Sequence, residues 1–550
     1  MKKTILALSC VLLLNLSGNE ELPDILQKDF KVTIDWLDEK PKSYSKDFYI
    51  IQFLKQENIT IEDAKKAYDM ANSSNSIVRS LYNKKFRTIP EEEMKCYRAS
   101  IDELLKENSK CIALGLSLKE ATKLPKDKLA LFIPKLDAYP TLRDDLKIIL
   151  SEKPFEELKN SDINKFFRLF FALGSSYRME KFNEPLSAEF INKIALDKNF
   201  YKFIRYTIFD KEYKNLQESL LLVNDNKDLI TDALFLLGLN AVNHDKIDIA
   251  YNFFYNAYKK AYLKNEKDKA LFWIYLITDN KSFLYELSKS WDNNIYALYA
   301  KELLEVDIDN IVYNLDMPNT KSSFNIYDQF EWMNVLSDTK KNFDEEKLKK
   351  YQALFTDDST LPHYAYILER YNKYRTQYYI TPYKDLVKDY STYKQVLIYS
   401  IAKQESRFIP SSISVSTAQG VMQIMPFLSE DIAKKLNEDY NIFEQFVPKT
   451  NIRFGSFHLD SLMRQFDNNP LFIAYAYNGG AGYTKSQFRK GLFKRKAKYE
   501  PFLSMEMMSY PETRNYGKKV LANYYVYNNY LNTENKIRLT TIFQTLVAPN

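Results

Sequence analysis

The segment STYKQVLIYSIAKQESRFIP, residues 391–410, decides how this chain is read. On a helix, Leu397, Ile401 and Glu405 fall four residues apart and share one face. That face is otherwise apolar, and Pro410 is expected to close the helix just beyond it. A carboxyl group on an apolar face near a helix end is costly to ionise, so its pKa rises. Raised to on the order of 6, such a group suits a general acid near neutral pH. A salt-bridged or solvated glutamate is the bland alternative, and on geometry alone it would be preferred. The neighbourhood tips the balance. From Ser406 to Ser429 there is no acidic residue, and Arg407 is the only basic one.

Within that neutral run stands Gly420-Val421-Met422-Gln423-Ile424-Met425-Pro426. Gly420 permits a tight turn or a close backbone approach. Gln423 carries an amide that can both donate to and accept from a sugar acetamido group. Ser406 is placed to bond Glu405 or a ligand. Further on, an apolar helix end runs into a glycine cluster, Ala474-Tyr475-Ala476-Tyr477-Asn478-Gly479-Gly480-Ala481-Gly482. Tyr477 and Asn478 stand at that end, and aromatic rings stack on sugar faces. Ser509 and Glu512 have capping-box spacing with Pro511 at a favoured early position, which gives Glu512 a structural role or that of a second carboxylate at the substrate.

The rest of the chain fits an all-α protein. Only four of its 11 glycines precede residue 400, and strand-like alternation is scarce. Ala250, Phe253, Phe254, Ala257, Tyr258 and Ala261 follow helical spacing after a short turn at residues 243–245. Similar runs follow, without a strict repeat, as in an α-solenoid. Residues 306–325 break the pattern. The expected organisation is a superhelical domain at 19–305, a short helical linker domain at 306–376 and a C-terminal domain at 377–550. Lys2 and Lys3 ahead of the apolar run Ile5–Leu16 give residues 1–18 the form of a signal peptide, too short for a membrane span. The mature chain is then expected to have no transmembrane segment and to lie in the periplasm. Removal of Cys10 leaves Cys96 and Cys111, as a disulfide or as two buried thiols. His244, His363 and His458 show no ligand spacing, so no metal or cofactor is expected. The net charge of +6 comes with no nucleic-acid motif, so nucleic acid is not an expected partner. Seven basic residues between Lys485 and Lys498, with no intervening acid, make either a solvated loop or an anion-attracting patch.

Taken together and in order, Gln404-Glu405-Ser406, Gly420–Pro426, Ala476-Tyr477-Asn478 and Glu512-Thr513-Arg514-Asn515-Tyr516 resemble the soluble lytic transglycosylases of the glycoside hydrolase family 23 type. The resemblance covers about residues 377–550; upstream it is one of texture and order. It implies a lysozyme-like C-terminal domain and a helical ring that orients a glycan strand. It also implies Glu405 as sole catalytic residue, with Ser406, Gln423, Met425, Tyr477, Asn478 and Glu512 around the substrate. The implied partners are peptidoglycan strands and other cell-wall enzymes. The implied reaction is non-hydrolytic cleavage between N-acetylmuramic acid and N-acetylglucosamine, leaving 1,6-anhydromuramyl ends during wall turnover. Val421 and Asn478-Gly479-Gly480-Ala481 depart from the usual Gly-Leu-Met-Gln and Asn-Ala-Gly-Pro, which implies altered loop shape. A hydrolytic muramidase and a catalytically inactive peptidoglycan-binding scaffold are the rival readings.

Overall fold

The structure, a computed structural model, describes residues 23–86, 89–224, 228–494 and 497–547. The expected signal peptide and Cys10 lie outside the described residues. Helix follows helix through the described chain, and two two-residue strands form its single sheet. The protein is all-α.

Near the N-terminus, α1 (Tyr44–Lys55) starts at Ser43, whose hydroxyl accepts from the Lys46 amide. Its Phe48 and Tyr49 are fully buried, and their partners lie far along the chain. Tyr49 stacks on Phe330 and Phe443, Phe48 meets Phe446 edge-on, and the Tyr49 hydroxyl donates to Gln329 Oε1 at 2.6 Å. Residues 26–78 therefore share a core with 330 and 443–446, apart from the main core that begins at Cys96. The expected superhelical domain at 19–305 includes these helices, but the sequence could not say what their apolar faces meet.

Cys96 and Cys111 are joined by a disulfide between two short helices, with Cα atoms 5.1 Å apart. Closing a 15-residue separation is worth about 3 kcal/mol through the unfolded chain. Reductant is expected to lower the melting temperature of the wild type and to leave Cys96→Ser/Cys111→Ser unmoved in a calorimetric scan.

A stack of helices follows: α2 (Thr231–Asn243), α3 (Ile247–Lys260), α4 (Lys264–Thr278), α5 (Lys281–Ser288) and α6 (Ile295–Leu303), each packed on the next. The turn between α2 and α3 is made by His244 and a left-handed Asp245. After α6 the chain forms β1 (Ile311–Val312), which pairs in parallel with β2 (Gln377–Tyr378). Between the strands, α7 (Leu361–Tyr371) belongs to a small third core of Phe324, Trp332, Phe355 and Ile367 around His363. Burial drives the His363 imidazole down to about 3, so it packs there neutral.

The C-terminal part is built on α8 (Thr392–Glu405), α9 (Pro426–Leu436), α10 (Pro448–Gln465), α11 (Pro470–Gly479) and α12 (Pro511–Leu531). Both α8 and α11 lie along α12. Gly517 makes the second contact possible, because a Cβ there would stand 2.2 Å from the Tyr475 ring. On its other side α12 meets α6. Glu506 is buried there, with Lys518 Nζ 2.8 Å from both its carboxylate oxygens and the Tyr296 hydroxyl donating to Oε1. Among the described residues, no helix is long and apolar enough to cross a membrane.

Candidate active site

Glu405 is the last residue of α8. The helix stops there, before Pro410, because Arg407 and Phe408 both take left-handed backbone conformations, at φ 54° and 69°. Ser406 caps the turn. Its hydroxyl was expected to reach Glu405 or a ligand, but it is buried and donates to the Val421 carbonyl at 2.6 Å. Its effect is to tie the helix end to the loop that carries Gln423.

The Glu405 carboxyl is largely enclosed. Burial raises its pKa, the Tyr516 hydroxyl opposes that by donating to Oε1 at 2.7 Å, and Glu512 adds a further upward push; the outcome is about 8. The acid is therefore neutral at pH 7. Tyr516 is a residue whose role the sequence did not reveal. It stands 111 positions away in the chain, and nothing in a lone tyrosine of α12 announces its partner.

Residues 411–426 fold over this helix end as a small antiparallel loop, bridged through Ile413, Gln419 and Ile424. Gly420 sits at φ +76°, and a Cβ there would approach the Gln445 carbonyl oxygen to 2.1 Å. Only glycine fits. Asn451 of α10 locks the loop, accepting from the Met422 amide at 2.7 Å and donating to the Gln419 carbonyl at 3.0 Å. Gln423 gives both amide hydrogens to carbonyls, those of Ser412 and Gly420, each at 2.9 Å. Because those partners can only accept, the orientation of the amide is fixed, and its carbonyl oxygen is what remains to face a ligand. The sequence reading had allowed it to donate as well. Met425 stands at the N-cap of α9, partly exposed.

The third wall is the end of α11. Tyr477 donates to the Met422 carbonyl at 2.8 Å, and burial together with the nearby Glu405 pushes its phenol well above the usual range. His458 packs on the Tyr477 ring at 5.5 Å and is held to about 4, mainly by burial. Asn478 spans two helices, donating to Glu512 Oε1 at 3.3 Å and accepting from the Thr513 hydroxyl at 2.7 Å. Glu512 itself is exposed in the first turn of α12. The expected capping box does not form: Tyr510 is the N-cap, and Ser509 Oγ lies 3.1 Å from the Tyr483 hydroxyl. Pro511 fixes the helix start without a side-chain cap.

Behind Glu405, Glu369 of α7 is buried between two cations of the α8 end. Lys403 Nζ lies 3.1 Å from its Oε1, and Arg407 pairs with its Oε2. Desolvation lowers Lys403 to about 7. The basic run lies elsewhere: Lys485, Arg489, Lys490, Lys494 and Lys498 follow α11, while Arg495 and Lys496 lie outside the described residues. Among the described residues, no three His, Cys, Asp or Glu side chains converge as a metal-binding group.

Residues 387–500 match the family model described as Transglycosylase SLT domain, so α8, the 411–426 loop and the Tyr477 helix lie in a domain of that class. Over this part of the chain the sequence is also similar to curated soluble lytic murein transglycosylases. The soluble lytic murein transglycosylase of Escherichia coli (strain K12) is 34% identical over 145 residues, 26% of this chain and 22% of that protein. The Salmonella typhimurium protein of the same description is 33% identical over 154 residues, 27% and 23% of the two chains. The chain thus matches about a fifth of the length of these relatives. Among solved structures, the 70 kDa soluble lytic transglycosylase of E. coli aligns over 94% of this chain and 84% of its own, at 17% identity and a TM-score of 0.44.

Proposed function

We propose that the chain is a peptidoglycan lytic transglycosylase in which Glu405 acts first as acid and then as base. The observation that carries this reading is a single carboxyl at a helix end, neutral at pH 7 and held by the Tyr516 hydroxyl. Glu405 protonates the oxygen linking N-acetylmuramic acid to N-acetylglucosamine, and the C1–O bond breaks. The muramyl acetamido group stabilises the cationic centre at C1. Glu405, now ionised, takes the proton of the muramyl C6 hydroxyl, whose oxygen bonds to C1. The 1,6-anhydromuramyl end forms with no water consumed. Intramolecular attack of this kind gains from a held geometry. Gln423, limited to accepting, suits an acetamido N–H, and Tyr477 with Met425 forms the adjoining wall. Asn478 and Glu512 border the substrate and set the local field. Peptidoglycan strands are the partner, other cell-wall enzymes act on the same polymer, and the setting is the periplasm.

Mass spectrometry of digests from purified sacculi tests the reaction. Muramyl ends lighter than the reducing form by one water are expected. Reducing ends would replace this reading with a hydrolytic muramidase, which needs a second carboxylate to activate water. No turnover, with Glu405→Gln behaving as wild type in every binding assay, would make the chain a scaffold.

Tyr516→Phe removes a donor that favours the ionised carboxylate, so Glu405 rises further. The alkaline limb of the kcat/KM profile, where the acid form is lost, is expected to move to higher pH. A limb unmoved by the substitution would separate Tyr516 from the titrating group.

A further inference from the structure

The loop that carries Gln423 is held from behind by the opposite end of the chain. Between the two lies a 3₁₀ turn, Ile442–Phe446. On one side this turn meets the 411–426 loop. The Gln419 amide nitrogen donates to the Ile442 carbonyl at 3.0 Å, and the Gln445 carbonyl oxygen is the atom that leaves no room for a Cβ at Gly420. The Gln445 side chain accepts from Asn451 at 3.2 Å, the same residue that takes the Met422 amide.

On its other side the turn is covered by the N-terminal helices. Phe446 is fully buried and Phe443 nearly so. The Phe48 ring of α1 stands edge-on to Phe446 at 5.8 Å, and Phe443 is enclosed by Phe30, Phe48 and Tyr49. Asn441 accepts from the Phe443 amide and donates to the Leu26 carbonyl at 2.9 Å, a bond that joins positions 415 residues apart. A turn of five residues cannot bury two phenylalanine rings by itself. Without α1 they would face water, and the turn would shift to cover them. Close-packed neighbours transmit such a shift. Here the first of them is Gly420, whose carbonyl fixes the Gln423 amide. Glu405 is held separately, by Tyr516 of α12.

We infer that Phe48 is a positioning residue: through Phe446 and the 442–446 turn it fixes the Gln423 carbonyl oxygen in the wall of the site. The N-terminal helices then serve the C-terminal chemistry directly. Only the use of Gln423 by the substrate rests on the transglycosylase reading; the mechanical link from α1 to the loop does not.

Hydrogen exchange in the full-length protein tests the link. The Gly420 and Met422 amides, bonded to the Ser412 carbonyl and to Asn451, are expected to exchange about tenfold faster or more in Phe48→Ala. Phe254→Ala, an equal truncation in the core of the helical stack, should leave both rates unchanged. Turnover of sacculi should fall about tenfold in kcat/KM in Phe48→Ala, with the alkaline limb set by Glu405 unmoved. Gln423→Ala should then cost less in that background than in the wild type, and Phe48→Leu should restore most of the rate. If Phe48→Ala does not fold, Asn441→Ala, which cuts the bond to Leu26, is read in its place. Unchanged loop exchange in the folded variant, equal acceleration in Phe254→Ala, or fully additive losses with Gln423→Ala would each overturn the assignment. The exchange rates are read without substrate, so their failure is distinct from a failure of the cutting reaction, which product mass decides.

Discussion

Glu405→Gln is expected to lower turnover of sacculi by about 10⁴-fold or more, while sedimentation with sacculi persists. One general acid–base group contributes about 10²–10⁴-fold, and this one is used in both halves of the reaction. The amide keeps the size of the side chain and can still accept from Tyr516, so loss of the proton, not collapse of the site, is what the assay reads. Stability supplies an independent check. In the folded chain Glu405 keeps its proton up to about pH 8, whereas an unfolded glutamate releases it near about 4.3. Between those values the folded state holds the extra proton. The associated stability is complete below the lower value and is lost as pH rises through the higher one. The wild type should therefore lose stability relative to Glu405→Gln between pH 5 and 9, by about 3 kcal/mol once partial exposure is allowed for. Parallel denaturation curves at the two pH values would show no such divergence if the carboxyl were ionised throughout.

The largest effect on stability is expected from Lys518→Met. The Glu506 carboxylate is 1% exposed; burial pushes its pKa up, but Lys518, Lys269 and Arg514 outweigh that and hold it ionised. Lys518 is itself pushed down to about 8 by burial, against the pull of Glu506. Removing the ammonium leaves a carboxylate enclosed without its closest counter-charge, a loss of about 3–5 kcal/mol. Glu506→Gln/Lys518→Met should recover much of it, since a neutral pair carries no such penalty. A single variant that unfolds at the wild-type denaturant midpoint would show that the ion pair contributes nothing. Because the Tyr296 hydroxyl joins this pair from α6, the same experiment reports on how firmly the helical stack holds the C-terminal part.

Much of the local structure was legible because it is written in local pattern. The periodicity of 250–261 matches the helix found there, and the turn at 243–245 falls where the chain reverses. Glu405 could be singled out because the acid on an apolar helical face is followed by a run, Ser406 to Ser429, without another acidic residue. What the pattern could not supply were partners brought together by folding. Tyr516 reaches Glu405 across more than a hundred residues, and the α1 aromatics find theirs near residues 330 and 443. Ser406 and Ser509 show a related limit. Hydroxyls that spacing offered to a carboxylate and to a helix end were taken by the Val421 carbonyl and the Tyr483 hydroxyl, groups that only the folded chain places beside them.

The pairing of Ile311–Val312 with Gln377–Tyr378 sets the departure and the return of everything between them side by side. A module with adjoining ends can be lengthened, shortened or exchanged without pulling apart the halves it interrupts. One side chain limits that freedom. Glu369 lies inside the module and pairs with Lys403 and Arg407 beside the end of α8, so any replacement would have to bring a negative charge to the same place.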